Sequence, residues 1–150
     1  MKFKIAMLAT IAALAMGVAT HAGENLRLNS HLDYSSDHED GPLITGDHMD
    51  EGAVAGKPNY VIIYAEGCFN SKRQARRTVS LYEKYKDRVN FVVVDLDQER
   101  SPAQQQLVKD YYKGYIPHVV VLDKAGKAVY NSSGEVDESS ISALLDKALR

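Results

Sequence analysis

The chain has one cysteine, Cys68, in 150 residues. A single thiol excludes an internal disulfide and any dithiol site with two cysteines three residues apart. Charge of one sign is also missing: 18 basic against 20 acidic residues leave a formal net charge of −2. Such a balance gives no reason to expect nucleic acid or an anionic membrane as the main partner. There is no internal repeat and no H-E-x-x-H segment. The glycines among the acidic residues of the N-terminal third do not fall where a calcium loop needs them. No metal site and no cofactor is therefore assigned. No apolar run reaches the ~20 residues of a membrane-spanning helix.

The longest apolar run, Ile5 to Ala19, follows the positive "MKFK" and precedes small residues. This pattern predicts a secretory signal over residues 1–22, cut after Thr20-His21-Ala22. The mature protein is then expected in a periplasm or outside the cell, with no membrane attachment after cleavage. No cysteine lies at the cut to carry a lipid, and the C-terminal "DKALR" is not an ER-retention signal. In such an oxidising compartment a lone thiol is open to oxidation and to pairing between chains. Cys68 therefore needs an explanation.

Residues 23–56 are polar, rich in Asp, His, Ser and Gly, and keep no apolar period. They read as a solvated acidic extension, mostly loop, with a short helix at most around Asp47 to Ala55. With few apolar residues to offset the cost of ordering, the extension is expected to be mobile and dispensable for folding. Residues 57–150 differ abruptly. Tyr60–Ala65, Asn90–Asp97 and His118–Asp123 are nearly continuous β-branched runs, as in strands buried on both faces. A fourth strand, Ala128–Tyr130, follows a short Gly-containing turn and should pair antiparallel with the third. Helical patterns separate the strands. In the first, from Ser71 to Tyr85, steps of 100° place Ala75, Thr78, Val79, Tyr82 and Tyr85 on one side. Lys72, Arg73, Arg76 and Arg77 fall on the other, read as solvent-facing. Ser101-Pro102 opens a second helix and Asp137 caps a third. Strands alternating with helices imply an α/β domain with a central mixed sheet flanked by helices.

The order of elements, with "YAEGC" ending the first strong strand and "YIPH" before the third, resembles the thioredoxin family. The family's W-A-x-W-C-G-P-C-K segment is matched by Tyr64-Ala65-Glu66-Gly67-Cys68-Phe69-Asn70-Ser71-Lys72. Pro117 falls where the family has a cis-proline opposite its active site, and Gly134 on the glycine before the last helix. The resemblance covers residues 57–150 and implies a thioredoxin-like fold. It implies a reactive centre of Cys68, Ser71 and Pro117, and a substrate face of Tyr64, Gly67, Phe69, Asn70, Ile116 and His118. The departures matter equally. Ser71 stands for the family's second cysteine, Gly67 for a tryptophan, Phe69-Asn70 for Gly-Pro, and Ile62 for the buried acid that assists the second thiol. The missing thiol and the missing acid belong to one step, the internal resolution of a mixed disulfide.

Cys68 keeps what a nucleophilic thiol needs. It sits at a strand end leading into a helix, where unpaired amides and the positive dipole end favour the thiolate. Lys72, Arg73, Arg76 and Arg77 add to that field, Glu66 opposes it, and Ser71 is placed to hydrogen-bond the sulfur. Two readings stay open. One is a monothiol thiol–disulfide exchange protein whose partners are protein or glutathione thiols and disulfides, with a disulfide-linked dimer through Cys68 as a further outcome. The other is a non-catalytic module that binds an extended peptide in the groove of Tyr64, Phe69, Ile116 and Pro117. His118, beside Pro117, is read as a thiol-tuning group or an ordinary satisfied histidine.

Overall fold

The computed structural model describes residues 25–38 and 41–150. The expected signal segment, residues 1–22, lies outside them. The β-branched runs form three adjacent strands: β3 (Asn59–Tyr64), β4 (Asn90–Asp95) and β5 (His118–Leu122). With β6 (Ala128–Ser133) they make a sheet of order β4-β3-β5-β6. β3 and β4 run parallel, β5 is antiparallel to β3, and β6 is antiparallel to β5.

Side-chain alternation along β3 divides the core in two. Tyr60, Ile62 and Tyr64 face a layer built by Ala75, Leu81, Tyr82 and Tyr85 of helix α1 (Phe69–Tyr85) and Ile141 and Leu145 of α3 (Glu138–Ala148). Val61 and Ile63 face Leu107 of α2 (Pro102–Tyr111) on the other side. Helices thus cover both faces. Local chemistry fixes the helix starts: Ser101 Oγ accepts the Gln104 amide at 3.2 Å ahead of Pro102, and Asp137 Oδ1 accepts the Ser140 amide at 2.8 Å.

The N-terminal extension departs from expectation. Its segments β1 (Arg27–Leu28) and β2 (Ile44–Thr45) pair antiparallel, and Leu26, Leu43 and Ile44 lie in the α1/α3 side of the core, each no more than 2% exposed. Buried phenols anchor the backbone between them. Tyr64 Oη accepts the Leu43 amide at 3.0 Å, and Tyr82 Oη accepts the Asn25 amide at 2.6 Å. Three apolar side chains without a periodic pattern, together with two tyrosine anchors, hold the extension to the domain. Residues 47–50 form a turn rather than the short helix expected there. Further on, the Asn59 side chain ties Val54 and Lys57 to the sheet through bonds of 2.8 to 3.0 Å.

Candidate active site around Cys68

β3 ends at Tyr64, and four residues carry the chain into α1. Gly67 has φ +74°, the left-handed region that a side chain such as tryptophan rarely adopts. Cys68 is the α1 N-cap, with φ −82° and ψ 119°, and is partly exposed. Its sulfur makes no capping hydrogen bond. Ile63 pairs with His118 across the β3–β5 ladder, so the Pro117 peptide lies at the sheet end from which the Cys68 turn departs. The Ile116–Pro117 peptide is cis, and the Pro117 carbonyl accepts the Gly134 amide at 2.8 Å, tying this loop to the end of β6. Phe69 and Ile116 are partly exposed and Asn70 is exposed, whereas Pro117 is buried.

Several side chains do other work than the sequence pattern suggests. Ser71 is fully buried, and its Oγ has no hydrogen-bond partner among the described residues, so it does not support the sulfur. Tyr64 is also fully buried and holds Leu43 and Ile44 instead of joining a substrate face beside Cys68; burial and the nearby Asp95 carboxyl push its phenol up. Lys72, assigned to the solvent side, is 0% exposed, because the extension covers that flank of α1. Its Nζ donates to the Asp33 carbonyl at 2.6 Å and the Ser36 carbonyl at 3.0 Å. Arg73 and Arg77 both pair with Glu135, and Arg76 lies over the Tyr34 ring at 5.5 Å. The field assigned to these four cations is therefore offset or engaged elsewhere.

His118 is a satisfied core histidine. It is fully buried, with Nδ1 2.8 Å from Ser133 Oγ and Nε2 2.6 Å from Asn131 Oδ1, both on β6. Desolvation pushes its imidazole down, which fits a neutral ring that donates to Asn131 and accepts from Ser133. It faces β6 and does not reach the thiol.

Three features escaped the sequence pattern. Asp37 Oδ1 accepts the Phe69 amide at 2.6 Å, so a carboxylate from the extension caps the helix that starts beside Cys68. With His38, Glu66 and Gly67 it lines the open depression in which Cys68 sits. Tyr115, next to Ile116, is 74% exposed, the most exposed large apolar side chain among the described residues. Asp95, at the end of β4, is buried. Its Oδ1 accepts the Asp97 amide at 2.9 Å, while its Oδ2 has no partner among the described residues. Desolvation, aided by the Glu66 carboxyl, pushes Asp95 up to about 7. It borders a cavity of about 420 Å³ whose other walls include Ile44, Met49 and Val93. Only the 32-residue separation in the Asp37–Phe69 bond hides it, since nothing local marks the pairing. Among the described residues no three His, Cys, Asp or Glu side chains converge as metal ligands would.

A mixed sheet of this order, a cysteine at the N-cap of the helix that follows the central strand, and a proline loop at the same sheet end define a thioredoxin-like domain. The Thioredoxin-like domain family matches residues 46–149, and the chain belongs to it. Relatives include the chloroplastic thioredoxin-like protein HCF164 of Oryza sativa subsp. japonica, 34% identical over 87 residues, 58% of this chain and 32% of that protein. The thiol:disulfide interchange protein TxlA of Synechococcus elongatus is 32% identical over 97 residues, 64% of this chain and 49% of that one. A TxlA homolog of Synechocystis sp. is 29% identical over 96% of this chain and 77% of its own. The chain spans less than half the length of the rice and Synechococcus relatives. A thioredoxin-like protein of Clostridium perfringens has a similar solved fold, with a TM-score of 0.53 at 20% identity, covering 64% of this chain and 74% of that one.

Proposed function

We propose that this protein carries out thiol–disulfide exchange through Cys68 alone, in a periplasmic or extracellular setting. The observation that carries the reading is a partly exposed Cys68 at the α1 N-cap, with the buried Ser71 hydroxyl where a resolving thiol would stand. Relatives named as thiol:disulfide interchange proteins support the reaction class. The Cys68 thiolate attacks one sulfur of a disulfide; a Cys68 mixed disulfide forms and the other sulfur leaves as thiolate. A second thiol, from glutathione or the client protein, then attacks the client sulfur of the mixed disulfide, and Cys68 leaves as thiolate. Electrons pass between the outside thiols, with none stored in the protein.

Ser71→Cys tests this directly. The parent should form mixed disulfides but reduce the disulfides of insulin poorly, and the variant should gain measurable reductase activity by closing an internal disulfide. Activity should stay weak because Ile62, fully buried on β3, supplies no proton acceptor. Strong reduction of insulin by the parent would refute the reading. The exposed Tyr115 beside Ile116 favours peptide binding as a second reading. Under it, client capture survives Cys68→Ser and falls with Tyr115→Ala.

A further inference from the structure

The extension reaches the reactive helix end by contacts on several sides. Asp37 Oδ1 takes the Phe69 amide at 2.6 Å, and the buried Lys72 ammonium holds the Asp33 and Ser36 carbonyls on the same stretch. The Tyr34 ring lies under Arg76. Asp33 orders the stretch from within: its carboxylate accepts the Ser35 amide at 2.8 Å and the Ser36 hydroxyl at 2.7 Å. Residues 33–38 thus form a strap along the start of α1, ending in the depression around Cys68.

The first amides of a helix are the donors that stabilise an anion at its N-terminus. Phe69 carries the amide immediately after Cys68, and Asp37 holds it. The same carboxylate stands in the depression that contains the sulfur, where its charge opposes a second anion. Among the described residues, the other charged or titratable groups lining that depression are His38, on the strap, and Glu66, on the β3–α1 turn. On α1, Lys72 is directed to the strap carbonyls and Arg73 to Glu135, while His118 on β5 is turned to β6.

Building on the exchange reading above, we propose that Asp37 is a positioning residue that restrains Cys68: it occupies the helix amide beside the sulfur and places a carboxylate against the forming thiolate. The strap thereby sets how readily Cys68 attacks a disulfide. Removing the charge or freeing the amide makes the thiol more reactive near neutral pH. A helix-terminal charge effect of the usual size corresponds to about a two- to fivefold change in rate.

The test uses the full mature chain and follows iodoacetamide alkylation of Cys68, in which the thiolate displaces iodide, from pH 5 to 10. Asp37→Asn keeps an acceptor for the Phe69 amide and removes the charge; Asp37→Ala removes both. Asp110→Asn, at an exposed position of α2, controls for a change in net charge. The inference expects the alkylation profile to move to lower pH in both Asp37 variants. The rate at pH 7 should rise about two- to fivefold in Asp37→Asn and at least as much in Asp37→Ala, with no change in Asp110→Asn. A merely structural role would alter the melting temperature and leave the profile in place. Profiles in both Asp37 variants that coincide with a reactive parent overturn the role of Asp37 and leave the exchange reading standing. A Cys68 that stays inert in the folded parent and in both variants overturns the two together.

Discussion

Leu43→Ala measures how firmly the extension belongs to the domain. Leu43 is fully buried, immediately before β2, in the core shared with α1 and α3. Deleting its side chain beyond Cβ removes three carbons, about 2.4 kcal/mol at ~0.8 kcal/mol per buried carbon. The cavity left behind brings the expected loss to about 3 kcal/mol, within the range seen for buried leucines. Against a total stability of about 5–15 kcal/mol that is a large fraction, and it should lower Tm by roughly 10 °C. Urea denaturation followed by circular dichroism reads it, with exposed Arg27→Ala as a control expected to stay within about 0.5 kcal/mol. Removing everything before Lys57 takes away Leu26, Leu43 and Ile44 together, each worth about 2–3 kcal/mol. The shortened chain should then lose most of its cooperative transition. A Leu43→Ala loss below about 0.5 kcal/mol would mean that the extension unfolds independently of the domain.

Asp95→Asn should show a pH-dependent gain. The folded carboxyl is raised from 3.8 to about 7, so unfolding releases a proton between those values and the parent loses stability as pH climbs through 7. Full conversion of that shift gives about 4 kcal/mol; relaxation beside the cavity reduces the expected gain to about 2 kcal/mol at pH 8–9, vanishing near pH 4. Urea titrations at three pH values check it, and a gain independent of pH would contradict the assignment. Ser71→Ala should leave mixed-disulfide formation by Cys68 unchanged and stability the same or up to about 1 kcal/mol higher, because a buried hydroxyl without a partner is removed. A marked fall in Cys68 reactivity would show that the hydroxyl does serve the sulfur.

The central sheet was legible because its strands are buried on both faces and so lack polar interruptions. The expected runs Tyr60–Ala65, Asn90–Asp97 and His118–Asp123 differ from β3, β4 and β5 by one or two residues at their ends. The caps Ser101 and Asp137 were equally plain, since their side chains act on amides three residues away. The extension was not legible. Leu26, Leu43 and Ile44 form no periodic pattern in the polar sequence around them, and what anchors them, Tyr64 and Tyr82, lies 20 to 57 residues away. The same omission misplaced Lys72. Helical periodicity put it opposite the sheet correctly enough, but that side of α1 is roofed by the strap, so a lysine assigned to water is buried among carbonyls. Cys68 and its helix start could be read from the chain; Asp37 could be found only once the chain had folded back on itself.

The central claim is that Cys68 exchanges disulfides without an internal partner. Intact-mass spectrometry of the folded protein after incubation with glutathione disulfide tests it. One glutathione adduct should appear, located at Cys68, released by added thiol, and absent in Cys68→Ser. A folded chain that takes up no adduct, while the urea-unfolded chain does, would contradict it.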